Sequence, residues 1–355
     1  MFSVAGRDYV WLDVFLAAML RAAWQPFETQ LRESLACLAE ARSRRELPPA
    51  SRIEAAATAF RYDRNLLTTD ETITWITRAG LTVDAWTDFL VGRLLRGDWT
   101  DRLASLLQRH GGSLAISDRA FSAEGIASGW FDQQALILAG RAAVSAMSAD
   151  TTPDVIDLAH VRWTRRAHEA WLGVLDAADL GRLAHLARLD ALFEVRKRAS
   201  LTPQGVDEHV ARHRVDWTRI DLERLVFDTV DAAREAACCV REDGLTLSDV
   251  AIQSRLQVRD SREFLDRLEP ELRDVVLAAR CGQVVGPVEI GSRYELASVV
   301  GKAPPDPADH LVRARAEEAI VEQLVGKAVR SRVSWVERPC GSVCGSCGDG
   351  LRKMR

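Results

Sequence analysis

At Trp217 the apolar period of this chain changes, and that change limits what it can fold into more than any other feature. From about Tyr9 to Arg214 apolar residues recur at helical spacing. Leu12, Leu16, Met19 and Ala23 form one stripe, and Leu31, Leu35 and Leu38 continue it beyond the break at Pro26. In "WTRIDLERLVFDT" they alternate instead, over Ile220, Leu222, Arg224 and Val226, which suits a strand with one side covered. "VDAAREAACCVREDG" then reads as a helix ended by Gly244, followed by a less regular segment. "LEPELRDVVLAAR" reads as a second helix, "CGQVVGPVEIGS" as a turn and strand, and "RYELASVVGKAP" as a last strand stopped by Pro304 and Pro305. A final helix over 307–332 carries Val312, Ala316, Ile320 and Leu324. The expected fold is α+β and mostly helical, a β-α-α-β-β unit inserted into a helical body. The expected divisions are a helical region 1–214, the sheet-bearing unit 215–304, a helix 305–335 packing on the helical region, and a tail 336–355.

Within the helical region the punctuation is clearest in "FRYDRNLLTTDETITWITRAGLTVDAWTDFLVGRLLRGDW". Thr69 or Asp70 is placed to cap a short helix that Gly80 ends, and Thr82 to cap another running to Leu95, with Trp75, Trp86, Phe89 and Leu90 on the buried face. Longer helices are expected near 118–147, 151–172 and 175–199. The start holds an apolar stretch near Val14–Leu20 that reads as the first amphipathic helix, not as a signal peptide, because Asp8 and Asp13 interrupt its flank and no basic segment precedes it.

Composition removes several function classes. A formal net charge of −4 gives no electrostatic footprint for phosphate backbones or anionic lipid, so neither nucleic acid nor a membrane is an expected partner. No run of about 18 apolar residues occurs, and the expected location is the cytoplasm. Walker, GxGxxG, GxSxG and HExxH signatures are missing. In a reducing compartment Cys37, Cys238, Cys239 and Cys281, set in apolar or helical contexts, are expected to be buried thiols.

The remaining three cysteines, Cys340, Cys344 and Cys347, fall in "CGSVCGSCGDGLRKMR". Their CxxxCxxC spacing is the one radical-SAM enzymes use to hold three irons of a four-iron cluster, but only eight residues follow Cys347, too few for the barrel such a cluster serves. A zinc site would need a fourth ligand, for which Asp349 is a poor substitute. Three readings stay open: a flexible terminus, a metal site completed elsewhere, or a substrate-like tail. Beyond that metal, no cofactor is expected.

The segment "EPELRDVVLAARCGQVVGPVEIGSRYELASVVGKAP" resembles the parvulin prolyl isomerases, with Pro270, Leu272, Leu277, Gly282, Gly286, Pro287, Tyr294 and Val299 at corresponding places. The surrounding plan is similar to SurA-type chaperones, in which a helical N-terminal region and the last helix pack together with a parvulin unit threaded between them. The segment "FRYDRNLLTTDETITWITRAGLTVDAWTDFLVGRLL" looks like the divergent version found in parvulin-related proteins of bacterial peptide-maturation gene clusters. Active parvulins carry a histidine on the first strand and another on the last. Here those places fall near Arg224 and Glu295, and none of the seven histidines lies between His213 and His310. The cysteine or aspartate expected near the middle of the pocket has no counterpart, and the Gly-Gly-Asp-Leu-Gly type of segment is missing between Asp243 and Phe264.

The resemblance therefore implies a degenerate isomerase that keeps a peptide groove. Isomerisation requires the twisted amide to be favoured over both ground states, and a pocket rebuilt with an arginine and a glutamate is no longer arranged for that. The residues expected to line the groove are Arg224, Val226, Leu272, Leu277, Tyr294 and Glu295, with no catalytic residue. Alternatively, Arg224 and Glu295 are a cross-strand ion pair on a solvated face. The expected partners are a ribosomally made precursor peptide and the enzymes that modify it. The competing functions are an active prolyl isomerase or chaperone, and a metal-binding carrier acting through Cys340, Cys344 and Cys347.

Overall fold

The computed structural model describes residues 1–110, 115–147 and 176–336. It is a mostly helical α+β protein in two compact units, one of Met1–Arg198 with Glu322–Arg355 and one of Ala199–Val321. Among the described residues no helix is long and apolar enough to cross a membrane. The expected helix at 151–172 lies outside the described residues, as do Cys340, Cys344 and Cys347.

The first unit opens with two short strands that the sequence did not announce, and the amphipathic helix expected near Val14–Leu20 follows them over Trp11–Leu20. β1 (Phe2–Val4) and β2 (Arg7–Tyr9) pair through a two-residue loop in which Ala5 and Gly6 both take positive φ, +50° and +79°. That is the backbone twist a tight hairpin requires. β1 also pairs with β7 (Val333–Trp335), so Phe2 lies opposite Trp335 and the two ends of the described chain share one sheet. Phe2 is buried, stacked on Tyr9 with ring centres 5.0 Å apart and tilted against Trp335 at 5.2 Å.

Helices then fill the unit: α1 (Trp11–Leu20), α2 (Trp24–Arg44), α3 (Ala50–Tyr62), α4 (Thr69–Arg78), α5 (Val83–Asp98), α6 (Leu103–His110), α7 (Asp118–Ala127), α8 (Trp130–Ser145) and α9 (Ala177–Ser200). Pro26 sits in the first turn of α2, where its missing N–H costs nothing, so it opens this helix after the gap that ends α1. α4 is capped by Thr68, one residue before the expected cap. Glu71, three residues on, returns a 2.9 Å bond to the Thr68 N–H while its own N–H donates to Thr68 Oγ1, a reciprocal box that Thr69 could not form. Thr82 caps α5 as expected. The single helix expected at 118–147 is two, divided at Gly129, whose φ is +76°.

In the second unit α10 (Pro203–Arg212) leads to a four-stranded antiparallel sheet of β3 (Arg219–Phe227), β4 (Arg259–Phe264), β5 (Val284–Ile290) and β6 (Arg293–Ala303), in the order β4-β3-β6-β5. Between the strands run α11 (Val230–Arg241), α12 (Leu247–Ser254) and α13 (Pro270–Ala278). β4 and α12 occupy the stretch whose sequence is irregular. α14 (His310–Arg332) places Val312 and Ala316 against Val206, Val210 and Trp217 in this unit, whereas its later Val325 meets Gly140 of α8 in the first unit. Of the four described cysteines only Cys37 is fully buried, while Cys238 and Cys281 are exposed. This corrects the expectation for those two: Cys238 lies on α11 beside the inward row Ala233, Ala236 and Ala237, and Cys281 lies in the turn before β5.

Tyr9 and His185 join the first hairpin to α9, with 3.2 Å between the hydroxyl and Nε2. Burial first, then nearby Arg7, holds the His185 pKa down to about 4 from its ordinary 6.5. The unfolded chain thus binds this proton more readily than the folded one. The contribution is complete above pH 6.5 and is lost as pH falls from there toward about 4. Denaturant midpoints of the first unit should drop across that range, and His185→Gln should flatten the drop. Phe2→Ala should cost about 3–5 kcal/mol by denaturant unfolding, as expected for a buried aromatic.

Candidate functional site

The alternation of β3 places its residues on two faces, and the buried set changes face midway along the strand. Ile220 and Leu222 point to the face covered by Leu272 and Val276 of α13, with Ala297 and Val299 of β6 beside them. Leu225 and Phe227 point to the opposite face, covered by Ala233 and Ala236 of α11 and by Leu247 and Val250 of α12. Arg224 and Val226 continue the first face past the reach of its apolar cover. Cross-strand pairing puts Arg224 opposite Ala297, and Val226 opposite Glu295. Residues directly opposite share a face, so Arg224, Val226 and Glu295 come together at the partly covered end of the sheet.

Arg224 is the centre of that group. Its Nε donates to Glu295 Oε2 at 2.7 Å, and Nη2 reaches the same oxygen at 2.6 Å. Nη2 also donates to Glu269 Oε2 at 3.1 Å. Glu269 is brought in by the N-terminus of α13, where it immediately precedes Pro270. Glu263 of β4 stands 3.9 Å from Nη1, a distance for an ion pair but not for a hydrogen bond. The side chains of Arg224 and Glu295 are each only 12% exposed. Burial works against the charged guanidinium, yet the bonds and charges of Glu295 and Glu269 outweigh it and raise the pKa of Arg224 above its ordinary value.

This arrangement has definite chemical capacity. A permanently charged guanidinium is neither a proton donor nor a base at physiological pH, and the nearest carboxylate is engaged by it. Nη1 has only the longer approach of Glu263, at 3.9 Å, among the described contacts. Through its N–H groups the site can donate hydrogen bonds to a polar group, with Glu263 and Glu269 as further carboxylates beside it. The cross-strand ion pair offered as the alternative is present, but its partners are largely covered where a solvated face was expected. Among the described residues no group of three or more His, Cys, Asp or Glu is placed to hold a metal.

The six expected groove residues are not all assembled. Arg224, Val226 and Glu295 are together. Leu272 is fully buried in the core beneath the sheet, so it supports this end of the unit without facing a ligand. Leu277, on the same short helix, points away and is 51% exposed. Tyr294 alternates to the other face, packing against the cluster of Leu225 and Phe227. Glu263 and Glu269 were not foreseen. No apolar alternation in "RDSREF" marks β4 as a strand, and only its pairing with β3 brings Glu263 near Arg224.

Gly286 secures Glu295 from the neighbouring strand. Its φ is +101°, and a Cβ there would stand 2.5 Å from the Glu295 carbonyl oxygen. The register of β5 on β6 shifts between Val285 and Val288, around this contact.

No family model matches the chain, and no curated protein is similar to it in sequence. Among solved structures, it is similar to the peptidylprolyl isomerase PrsA of Bacillus anthracis, with 15% identity over 54% of this chain and 92% of that one and a TM-score of 0.30. PrsA of Bacillus cereus gives 13% identity, 67% and 92% coverage and a TM-score of 0.35. A structure from the study of PEB4 and Cj1289, described as SurA-like chaperones of Campylobacter jejuni, gives 11% identity, 76% and 96% coverage and a TM-score of 0.19.

In a double-mutant cycle with Arg224→Met and Glu295→Leu, chemical unfolding should give a coupling of about 1–3 kcal/mol. Additive effects would show that the pair contributes nothing. Gly286→Ala should destabilise the second unit by about 1–3 kcal/mol through backbone conformation and the clash with Glu295.

Proposed function

We propose that this chain is a non-catalytic peptide-binding protein, acting in the cytoplasm, that takes an extended segment of a ribosomally made precursor peptide and holds it for peptide-modifying enzymes. The observation that supports this most is the state of Arg224. Where the parvulin resemblance implies histidines, a guanidinium is held by Glu295 and Glu269 and keeps Nη1 for a backbone carbonyl. A ground-state amide and a twisted one can both accept from such a donor. Binding that favours neither leaves the isomerisation barrier where it was.

The neighbouring features suit an extended ligand. Val226 adds a partly exposed apolar contact next to Arg224. β4 is an outer strand of the sheet, paired with β3 alone among the described strands, so its far side can accept a further strand. The segment bearing Cys340, Cys344 and Cys347, dense in Cys, Ser and Gly, suits a substrate carried on its own binding protein.

Two measurements test the proposal. In a protease-coupled assay with X-Pro peptides the full chain should leave the rate at its uncatalysed level, and acceleration would establish the prolyl isomerase reading instead. Affinity capture of small endogenous peptides, by the full chain and by a form lacking 340–355, should enrich one and the same peptide. Val226→Asp should release it with the unit still folded, and capture unaffected by Val226→Asp would remove this face from peptide binding.

A further inference from the structure

A second candidate site lies within the helical unit, independent of the peptide reading. α2, α5 and α7 enclose a cleft of about 230 Å³, with Leu31, Leu35 and Leu38 along one wall and Phe89 and Ala123 along the others. Two polar side chains line it from deep positions. Ser34 is 3% exposed, and its hydroxyl has no hydrogen-bond partner among the described residues. Glu124 is also 3% exposed and accepts 2.7 Å from the neutral Gln30 amide. At the rim Arg42 and Asp88 pair with each other at 2.5 Å, and Arg119 approaches Asp84 at 3.8 Å.

A buried carboxylate is ordinarily matched by a cation, and a buried hydroxyl by a donor or an acceptor. Neither requirement is met by direct contact here. Burial raises the pKa of Glu124, while the Gln30 bond and, through space, Arg96 and Arg93 act the other way without displacing that outcome. Both unmet groups face one apolar cleft. We propose that this cleft binds a small organic ammonium ion with an apolar body, its nitrogen donating to Glu124 and Ser34 and its body lying between Leu35, Leu38 and Phe89.

Three considerations select that class. An ammonium has three donors and no acceptor, which suits a cleft lined by a buried carboxylate and an unpartnered hydroxyl able to accept. An anion would be repelled by Glu124, and a wholly apolar ligand would leave both polar groups unmatched. The volume falls below the roughly 300–1,000 Å³ of pockets for drug-sized ligands, so one ring with a short chain is the appropriate scale.

The test titrates phenethylamine, and its neutral counterpart 2-phenylethanol, into the full chain by ligand-observed NMR. Phenethylamine should bind saturably at one site, with the alcohol weaker by about tenfold or more, a difference of about 1.4 kcal/mol. Glu124→Gln should remove that preference. Ala120→Leu, which fills the cleft and keeps the carboxyl, should abolish binding, and it decides the matter should Glu124→Gln not fold. Equal affinity for amine and alcohol, no saturable binding of the amine, or binding retained in Ala120→Leu would each overturn the proposal.

Discussion

Arg224 carries a permanent charge into a sheet that has helices on both faces, and the surrounding elements are arranged to satisfy that charge. β6 supplies Glu295, the start of α13 supplies Glu269, and β4 brings Glu263 near. Removing Glu295 leaves Arg224 with Glu269 and the more distant Glu263, whereas removing Arg224 leaves Glu295 largely covered without the cation it is paired to. Breaking the pair is therefore costly, even though a pair of apolar residues in the same space could be equally stable.

The switch of the buried set along β3 explains how the charge is tolerated. Through Leu222 the first face is core; from Leu225 the opposite face is core. Arg224 falls at the changeover, beyond the apolar cover that α13 provides and still within reach of the acidic residue at that helix's start. A strand covered on one face along its whole length would either bury Arg224 among leucines or expose it to water. The two helical layers, each covering half a strand, provide an intermediate place, polar enough for an ion pair and dry enough to strengthen its hydrogen bonds.

Much of this was legible in the sequence where the signal was local. The alternation of Ile220 and Leu222, the Thr82 cap and the glycine that follows α11 all predicted their elements. Arg224 and Glu295 were singled out as partners before their distance was known. What escaped depended on contacts remote in the chain. β4 has charged residues at strand positions and is a strand because β3 pairs with it. β1 is held by β7, more than three hundred residues later, so nothing local marked the first residues as a strand. Leu272 and Leu277 were both carried from the parvulin resemblance, and a matched position does not tell the inward turn of a nine-residue helix from its outward one. Tyr294, carried from the same resemblance, packs on the face covered by α11 and α12, away from Arg224.

The central claim is that the face bearing Arg224, Val226 and Glu295 receives an extended peptide. It is tested most directly by placing a photo-reactive amino acid at Val226 of the full chain, irradiating it in lysate of the cells that make it, and sequencing the adduct by mass spectrometry. The account predicts one dominant peptide adduct, lost when an equivalent probe is placed at Tyr294 on the opposite face. Adducts of equal yield at both positions, or none at Val226, would contradict it.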